Sequence, residues 1–342
     1  MLSVLSVAYP LAPVTPDPAG GAEQVLAQLD RALVAAGHRS IVIAPEGSEV
    51  AGDLAAIPPV PTAIGDAERA AAQAAVRARM AELLGRERID LVHLHGIDFP
   101  DYLPAPGPPV VATLHMPPDW YAPGALTPTR PRTHLVPVSR HQAARAPAGT
   151  RLLPPIPNGV DETAYRPDDA KGRHAVVLGR VAPEKGFHDA VDAAKRARVP
   201  LVAAGKLFPY PAYLRYFVDQ VRPRLDGLRR FIGPVAGAAK RRLLARARCV
   251  LIPSTAPETS SLVAMEALAS GTPVIAYRSG ALPEIVEEGV TGFLVDDVAG
   301  MADAIGRVAA IDPAACRRAA EERFSLRSTT AAYLDLYARL AA

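Results

Sequence analysis

Only two cysteines, Cys249 and Cys316, occur among the 342 residues. So distant a pair supplies neither a disulfide framework nor a zinc-type ligand set. Cys249 lies in the apolar run Cys249-Val250-Leu251-Ile252 and is expected to be a buried, reduced core residue. Aromatics make up 5% of the chain, so aliphatic side chains must fill the core. No apolar stretch approaches the roughly 20 residues that cross a bilayer. No basic segment precedes Leu2-Ser3-Val4-Leu5-Ser6-Val7-Ala8, so a cytoplasmic setting is expected. Charge of one sign is also scarce. A net charge of +3 accommodates an anionic ligand without requiring one, and it gives no reason to expect nucleic acid.

Proline and glycine are plentiful, at 35 and 25 residues, and hydrophobic residues reach 49%. This length suits two domains of roughly 100–200 residues each. Residues 2–8 read as a buried strand, followed by a proline-rich loop over 10–20. Gly21-Ala22-Glu23 then opens a helix with Val25, Leu26, Leu29, Leu33 and Val34 spaced for one face, and Gly37 ends it. The next strand covers 40–44. This strand, glycine loop, helix, strand order is a βαβ unit and predicts a parallel sheet. Further strands are expected at 91–95, 110–114 and 134–138, with a helix over 68–84.

A second series follows Leu153-Pro154-Pro155-Ile156-Pro157-Asn158-Gly159. Its strands are expected at 175–178, 201–204, 230–232, 250–252, 273–276 and 293–295, with a helix over 187–196. The chain therefore divides into α/β halves at 1–156 and 157–324. A last amphipathic segment, 325–342, places Leu326, Tyr333, Leu336, Tyr337 and Leu340 on one face.

Four segments carry chemistry. In the first, Glu258 precedes a predicted helix and Glu266 lies inside it, with seven residues between them. The backbone donors of Thr259, Ser260, Ser261 and Leu262, with Val263 following, lie near that helix N-terminus, which favours an anion. Two carboxylates so placed can accept hydrogen bonds from vicinal hydroxyls, or can be solvated charges on a capped helix. In the second, Leu178-Gly179-Arg180-Val181-Ala182-Pro183-Glu184-Lys185-Gly186 puts two cations on a strand-to-helix loop. Arginine can clamp phosphate in a fork and lysine adds a point charge. In the third, Gly20 and Gly21 open the first helix, where backbone can approach a phosphate. In the fourth, His115 follows the strand Val110-Val111-Ala112-Thr113-Leu114, at the end from which parallel sheets present cleft residues. His93 and His95 share a strand face and suggest metal, but the sequence offers no third ligand. Asp296-Asp297 reads as a strand-end turn, and Lys240-Arg241-Arg242 with Arg246 and Arg248 as a solvated helix face.

The stretch from Pro257 to Ala276 resembles the E-x7-E signature of the family 4 retaining glycosyltransferases. Gly280-Ala281-Leu282-Pro283-Glu284-Ile285-Val286 and Gly289-Val290-Thr291-Gly292-Phe293-Leu294-Val295 match the same family, and the likeness runs across nearly the whole chain. It implies a GT-B fold, two Rossmann-like domains with parallel sheets facing across a cleft. Residues 1–156 would bind the acceptor, 157–324 would bind the nucleotide sugar, and the helix over 325–342 would pack back on the first domain.

The resemblance gives Glu258 a contact with the donor sugar and Glu266 the ribose hydroxyls. Arg180 and Lys185 would hold the diphosphate, as in the family's G-R-x-x-x-x-K-G site, with the loop of Gly20 and Gly21. His115 would bond the donor sugar near the reaction centre. Phe231-Ile232-Gly233-Pro234-Val235 resembles the loop that packs on the nucleobase. The family often has an aromatic or Cys followed by Gly after the first glutamate, where this chain has Ser260-Ser261. His95, Trp120 and Tyr121 are candidate acceptor contacts.

The implied activity is transfer of a sugar, with retention and without metal or other cofactor, from a nucleotide diphosphate donor to an acceptor hydroxyl. The family's commonest donors point to UDP, and one expected setting is oligosaccharide antibiotic or other glycoconjugate biosynthesis. A non-catalytic nucleotide-sugar-binding subunit of a heteromeric transferase is the alternative. A nicotinamide oxidoreductase is disfavoured by the missing G-x-G-x-x-G.

Overall fold

Alternation of short apolar strands with amphipathic helices builds two open parallel sheets in the computed structural model, which describes residues 1–15, 20–62, 64–168 and 170–342. Part of the predicted proline-rich loop, residues 16–19, lies outside the described residues. In chain order the first elements are β1 (Ser3–Val7), α1 (Gly21–Ala35), β2 (Arg39–Pro45), β3 (Asp53–Ile57), α2 (Asp66–Arg86), β4 (Leu91–Leu94), β5 (Val110–Leu114), β6 (Thr133–Pro137) and α3 (Arg140–Ala144). The second series runs β7 (Ala175–Leu178), α4 (Phe187–Arg196), β8 (Leu201–Ala204), α5 (Pro211–Tyr216), β9 (Arg229–Phe231), α6 (Gly237–Arg246) and β10 (Cys249–Ile252). It continues through α7 (Leu262–Ala269), β11 (Val274–Tyr277), α8 (Leu282–Ile285), β12 (Gly292–Val295), α9 (Val298–Arg307) and α10 (Pro313–Arg323), and α11 (Leu326–Ala341) ends the chain.

Two compact units result. Unit 1 comprises Met1–Asn158 with Arg327–Ala342, and unit 2 comprises Gly159–Leu326. The sheet of unit 1 is ordered β3-β2-β1-β4-β5-β6, and that of unit 2 β12-β11-β10-β7-β8-β9. All neighbouring strands are parallel. These are the two Rossmann-like sheets of the GT-B fold.

Parallel central strands are covered on both faces and so read as unbroken apolar runs. Val250, Leu251, Val274 and Ile275 are accordingly buried. In α1 the buried stripe is Val25, Leu26, Leu29 and Leu33, each contributing about 1.5–3 kcal/mol of burial. Val34, expected on the same face, is exposed because it falls a turn position outside that stripe. Strand β3 has no counterpart among the expected elements. It is an edge strand, Asp-Leu-Ala-Ala-Ile, with only Ala55 and Ile57 buried, so tertiary pairing with β2 makes it a strand where propensity does not. Cys249 and Cys316 are free and buried, and burial pushes each thiol up to about 12.

Candidate active site

In unit 2 the chain lays down β7, β8 and β9 to one side, then returns to place β10 on the other side of β7. That reversal is a topological switch point, where crevices form beyond the carboxyl ends of open parallel sheets. The loops leaving β7 and β10 flank it, and both are fixed from below. After β7, Val181 is buried and its N–H donates to the Lys206 carbonyl at 3.0 Å. A short 3-10 turn, Pro183–Lys185, ends at Gly186, whose φ of +62° leads into α4. A Cβ at Gly186 would lie 2.1 Å from the Pro253 carbonyl oxygen, so only glycine lets this loop lie against the end of β10. Thr255 N–H donates to the Glu184 carbonyl at 3.0 Å and ties the two loops together.

Lys185 and Glu258 meet at this junction. The Lys185 ammonium donates to Glu258 Oε1 at 2.6 Å, and the Ser254 hydroxyl donates to the same oxygen at 2.5 Å. Lys185 is about one-third exposed, whereas the Glu258 side chain is largely covered. A third loop, after β11, braces the backbone of Glu258. Ala281 N–H donates to the Glu258 carbonyl at 2.7 Å. Gly280, at φ +61°, leaves room for the Glu258 peptide, which a Cβ would approach to 2.2 Å. Arg180 lies on the same loop as Lys185 and faces Glu184 at 3.6 Å, with both side chains partly exposed.

Glu266 sits differently. Helix α7 buries it completely, and its Oε1 accepts from Lys240 at 2.7 Å and from Tyr165 at 2.9 Å. Lys240 corrects a sequence expectation. It does not belong to a solvated face, because it is buried on α6 while Arg242 and Arg246 stay exposed. Lys240 and Leu244 lie four residues apart on α6 and are both buried, so the helical period placed this lysine on the apolar stripe. A lysine there requires a buried anion, and Glu266 is that anion. Tyr165 is set in turn by Arg317, which donates to its carbonyl. Tyr165 and Ser254 are the residues of this arrangement that motif reading passed over.

Thr259, Ser260, Leu262 and Val263 are partly exposed at the start of α7, and Ser261, its N-cap residue, is buried. Phe231 ends β9 against Phe217, with ring centroids 4.8 Å apart, and Gly233 follows at φ +75°. Asp297 caps α9 by accepting from Gly300 N–H at 2.7 Å, a turn role.

Unit 1 has its own switch point, between β1 and β4. Gly20 is the N-cap residue of α1, but the Glu23 carboxylate folds back onto it: a Cβ on Gly20 would lie 1.8 Å from Glu23 Oε2. An anion of the chain itself therefore already stands against the Gly20-Gly21 turn. On one face of β4 and β5 the order Leu91, His93, His95 runs beside Val111, Thr113, His115. Tyr337 of α11 shares a hydrogen bond with His93 Nδ1 at 2.6 Å, Thr113 Oγ1 meets His93 Nε2 at 2.7 Å, and Tyr333 meets Thr113 at 2.9 Å. His95 Nδ1 and His115 Nε2 are 3.0 Å apart. Burial pushes His93 down to about 3 and His115 to about 4, and it holds His95 well below the usual imidazole range. The fold thus brings His115 beside His95 as a third histidine of the layer, yet both nitrogens of His93 are engaged. Among the described residues no cluster of three or more His, Cys, Asp or Glu can hold a metal.

Of the two aromatic acceptor candidates, Trp120 is exposed and Tyr121 is not. Tyr121 is buried against Phe99, and its hydroxyl accepts from Met116 N–H at 3.3 Å, so its ring is core and cannot stack on a ligand. A groove of about 560 Å³ beside α11, lined in part by Pro154, Leu336 and Arg339, contains none of the candidate residues. No helix among the described residues is long and apolar enough to cross a membrane.

Two family models match the chain in succession: Glycosyltransferase Family 4 over residues 19–163, and Glycosyl transferases group 1 over 172–310. The D-inositol 3-phosphate glycosyltransferase of Saccharomonospora viridis is 36% identical over 222 residues, which is 56% of this chain and 50% of that protein. The chain thus spans about half the length of the curated relatives it matches. Among solved structures, AviGT4, a glycosyltransferase involved in avilamycin A biosynthesis, is 27% identical with a TM-score of 0.76, covering 100% of this chain and 98% of that one. Anabaena Alr3699/HepE, in complex with UDP and glucose, is 20% identical with a TM-score of 0.76, covering 99% and 100%. Both units carry glycosyltransferase matches, and the fold is that of the GT-B glycosyltransferases.

Proposed function

We propose that this GT-B chain is a retaining glycosyltransferase that moves a sugar from a nucleoside diphosphate donor, UDP-linked by preference, to an acceptor hydroxyl. The observation that carries the reading is the meeting of Lys185 and Glu258 on the two loops that flank the unit 2 switch point. A diphosphate needs fixed cations, and a sugar needs an anionic acceptor for its hydroxyls, within one crevice. Arg180 and Lys185 take the diphosphate and stabilise the charge that develops as it leaves. Glu258, released from Lys185 by the incoming phosphate, accepts hydrogen bonds from the sugar hydroxyls. Glu266 takes the ribose, and its complete burial sets a condition: the ribose reaches it only when a covering side chain moves. His115 of unit 1 serves the sugar.

Support for UDP comes from the HepE complex, and support for glycoconjugate assembly, an oligosaccharide antibiotic included, from the full-length likeness to AviGT4. The test is a thermal-shift screen against UDP, GDP, ADP and dTDP, followed by transfer assays with the matching sugar nucleotides. The product's anomeric configuration is then read by proton NMR. Stabilisation by one nucleoside diphosphate and a retained anomer are expected. Failure to bind any of the four, or an inverted product, overturns the proposal.

A further inference from the structure

Segment 206–232 of unit 2 differs in composition from the rest of the chain. It holds six Lys/Arg against two Asp, a net charge of +4 where the whole chain carries +3. Six aromatic residues fall in it, although the chain is only 5% aromatic. Ten large hydrophobic residues are exposed among the described residues, and five of them, Tyr210, Leu214, Val218, Leu228 and Ile232, lie here. Exposed apolar residues scattered singly need no explanation, but a gathered set does.

The fold gathers them. After β8 the chain passes Lys206, whose ammonium lies 4.8 Å over the Phe208 ring, and enters α5. A π turn over Phe217–Val221 and a 3-10 turn over Arg222–Arg224 carry the helix on. The wider π turn brings Tyr216 and Val221, five residues apart, to one buried side. Tyr210, Leu214, Val218 and Arg222 recur every four residues and are all exposed, as is Arg215 next to Leu214. Tyr210 stands edge-on to Tyr213 at 5.3 Å and nearly parallel to Phe208 at 6.2 Å. The helix thus turns to solvent an aromatic end, an apolar middle and cationic flanks. Of the segment's two acids, Asp226 is held by Arg229 at 3.2 Å, which leaves Asp219.

Size and charge choose the occupant. The stripe from Tyr210 to Val218 is about 12 Å long at 1.5 Å per residue. A stable protein interface takes roughly 800 Å² from each partner, far more than three half-exposed side chains in a line present. A bilayer surface asks only for shallow insertion of apolar and aromatic side chains, with arginines reaching anionic headgroups. We propose that segment 206–232 docks unit 2 on an anionic phospholipid surface, with Tyr210, Leu214 and Val218 inserted at the headgroup boundary and Arg215 and Arg222 on the lipid phosphates. Tyr213 of α5 donates to Glu184 at 3.5 Å, so the docked helix adjoins the loop of Arg180 and Lys185.

The test is co-sedimentation of the full chain with vesicles of phosphatidylcholine alone and of phosphatidylcholine mixed with phosphatidylglycerol. Wild type should pellet with the anionic vesicles, far less with the neutral ones, and less as salt is raised. Arg215→Gln/Arg222→Gln should weaken partitioning about fivefold for each arginine lost, and Leu214→Gln/Val218→Gln by at least about tenfold. Arg86→Gln/Arg88→Gln, which removes two exposed charges of unit 1, should bind as wild type does. Thermal unfolding of each variant, expected to match wild type, shows that only the surface has changed. Wild type left in the supernatant, unchanged partitioning of Leu214→Gln/Val218→Gln, or an equal loss in the unit 1 variant overturns the proposal. So does a dimer in gel filtration that Leu214→Gln/Val218→Gln dissociates, which would make a second copy of the chain the occupant.

Discussion

The switch point of unit 2 is built from ions, and the corresponding region of unit 1 from neutral rings and hydroxyls. In unit 2, Lys185 meets Glu258 and Lys240 meets Glu266, each within 2.7 Å. In unit 1, a layer of His93, His95, His115, Thr113, Tyr333 and Tyr337 is hydrogen-bonded and, with its histidines held neutral by burial, uncharged near pH 7. The two sheets repeat one strand pattern, so topology does not set this difference. The side chains at the carboxyl ends set it: fixed charge suits a diphosphate, and neutral donors and acceptors suit hydroxyls.

The sharpest way to break that comparison is to remove one polar partner from each layer. Lys240→Met takes the Lys240 cation away from a Glu266 with no exposed surface, and breaking a buried ion pair from one side costs roughly 3–5 kcal/mol. Thr113→Val removes neutral hydrogen bonds, and each buried group left unpaired costs only about 1–3 kcal/mol. Urea unfolding of both variants gives the two numbers, and a Lys240→Met/Glu266→Leu double variant should recover most of the first loss. Equal costs for Lys240→Met and Thr113→Val would show that the ionic character of unit 2 carries no special weight.

Turnover separates the units next. His115→Ala should lower kcat about 10²–10³-fold, a scale of roughly 2.7–4 kcal/mol for one preorganised polar group, and leave UDP affinity nearly unchanged. Glu266→Ala should do the reverse, weakening UDP binding by roughly 1.5–3 kcal/mol for a hydrogen bond to a charged group. Steady-state rates and calorimetric titration measure both. Parallel losses of rate and affinity in His115→Ala would mean a folding defect in place of a sugar contact.

Much of this division was legible in the residues, and the gaps have physical causes. Strand periods placed β5, β7 and β8 to the residue, because central parallel strands are uniformly apolar. The edge strand β3 left no such trace. Glu258, Glu266, Arg180 and Lys185 stood in motifs, but the Lys185–Glu258 contact joins loops 73 positions apart and is made only by the fold. Lys240 carried a usable signal, its place on the apolar stripe of α6, which its basic neighbours Arg241 and Arg242 obscured. Tyr121 misled because aromatic type does not report exposure.

Acid should act on unit 1 first. The folded histidines lie near 3 for His93 and 4 for His115, below the ordinary 6.5. Below pH 6.5 the unfolded chain takes up protons that the folded chain refuses. Stability is thus fully present above 6.5 and declines toward pH 4, by up to about 1.4 kcal/mol per pH unit for each buried histidine. Lys171 of unit 2, lowered to about 8 by burial, acts instead on the alkaline side, where stability rises as pH goes from about 8 to 10.5. Hydrogen exchange at pH 6.5 and 5 should show β4 and β5 amides losing protection. Unchanged opening free energies there would mean that these rings are already charged in the folded chain.

The smallest expected effect is no effect, on adding a chelator. A diphosphate leaving group develops negative charge that must be neutralised, by a bound divalent ion or by fixed cations. Unit 2 supplies the second: Arg180 and Lys185 share one loop at the switch point, both partly exposed and so open to a ligand. Asp296-Asp297 is no alternative anchor, since Asp297 is committed to the α9 N-terminus. Turnover in EDTA should therefore match turnover with added Mg²⁺ or Mn²⁺ within error. Lys185→Ala in the same assay should lose rate whether or not metal is present. Activity abolished by EDTA and restored by a divalent ion would show that the cations of unit 2 do not suffice for the diphosphate, and the ionic half of the comparison would lose its functional meaning.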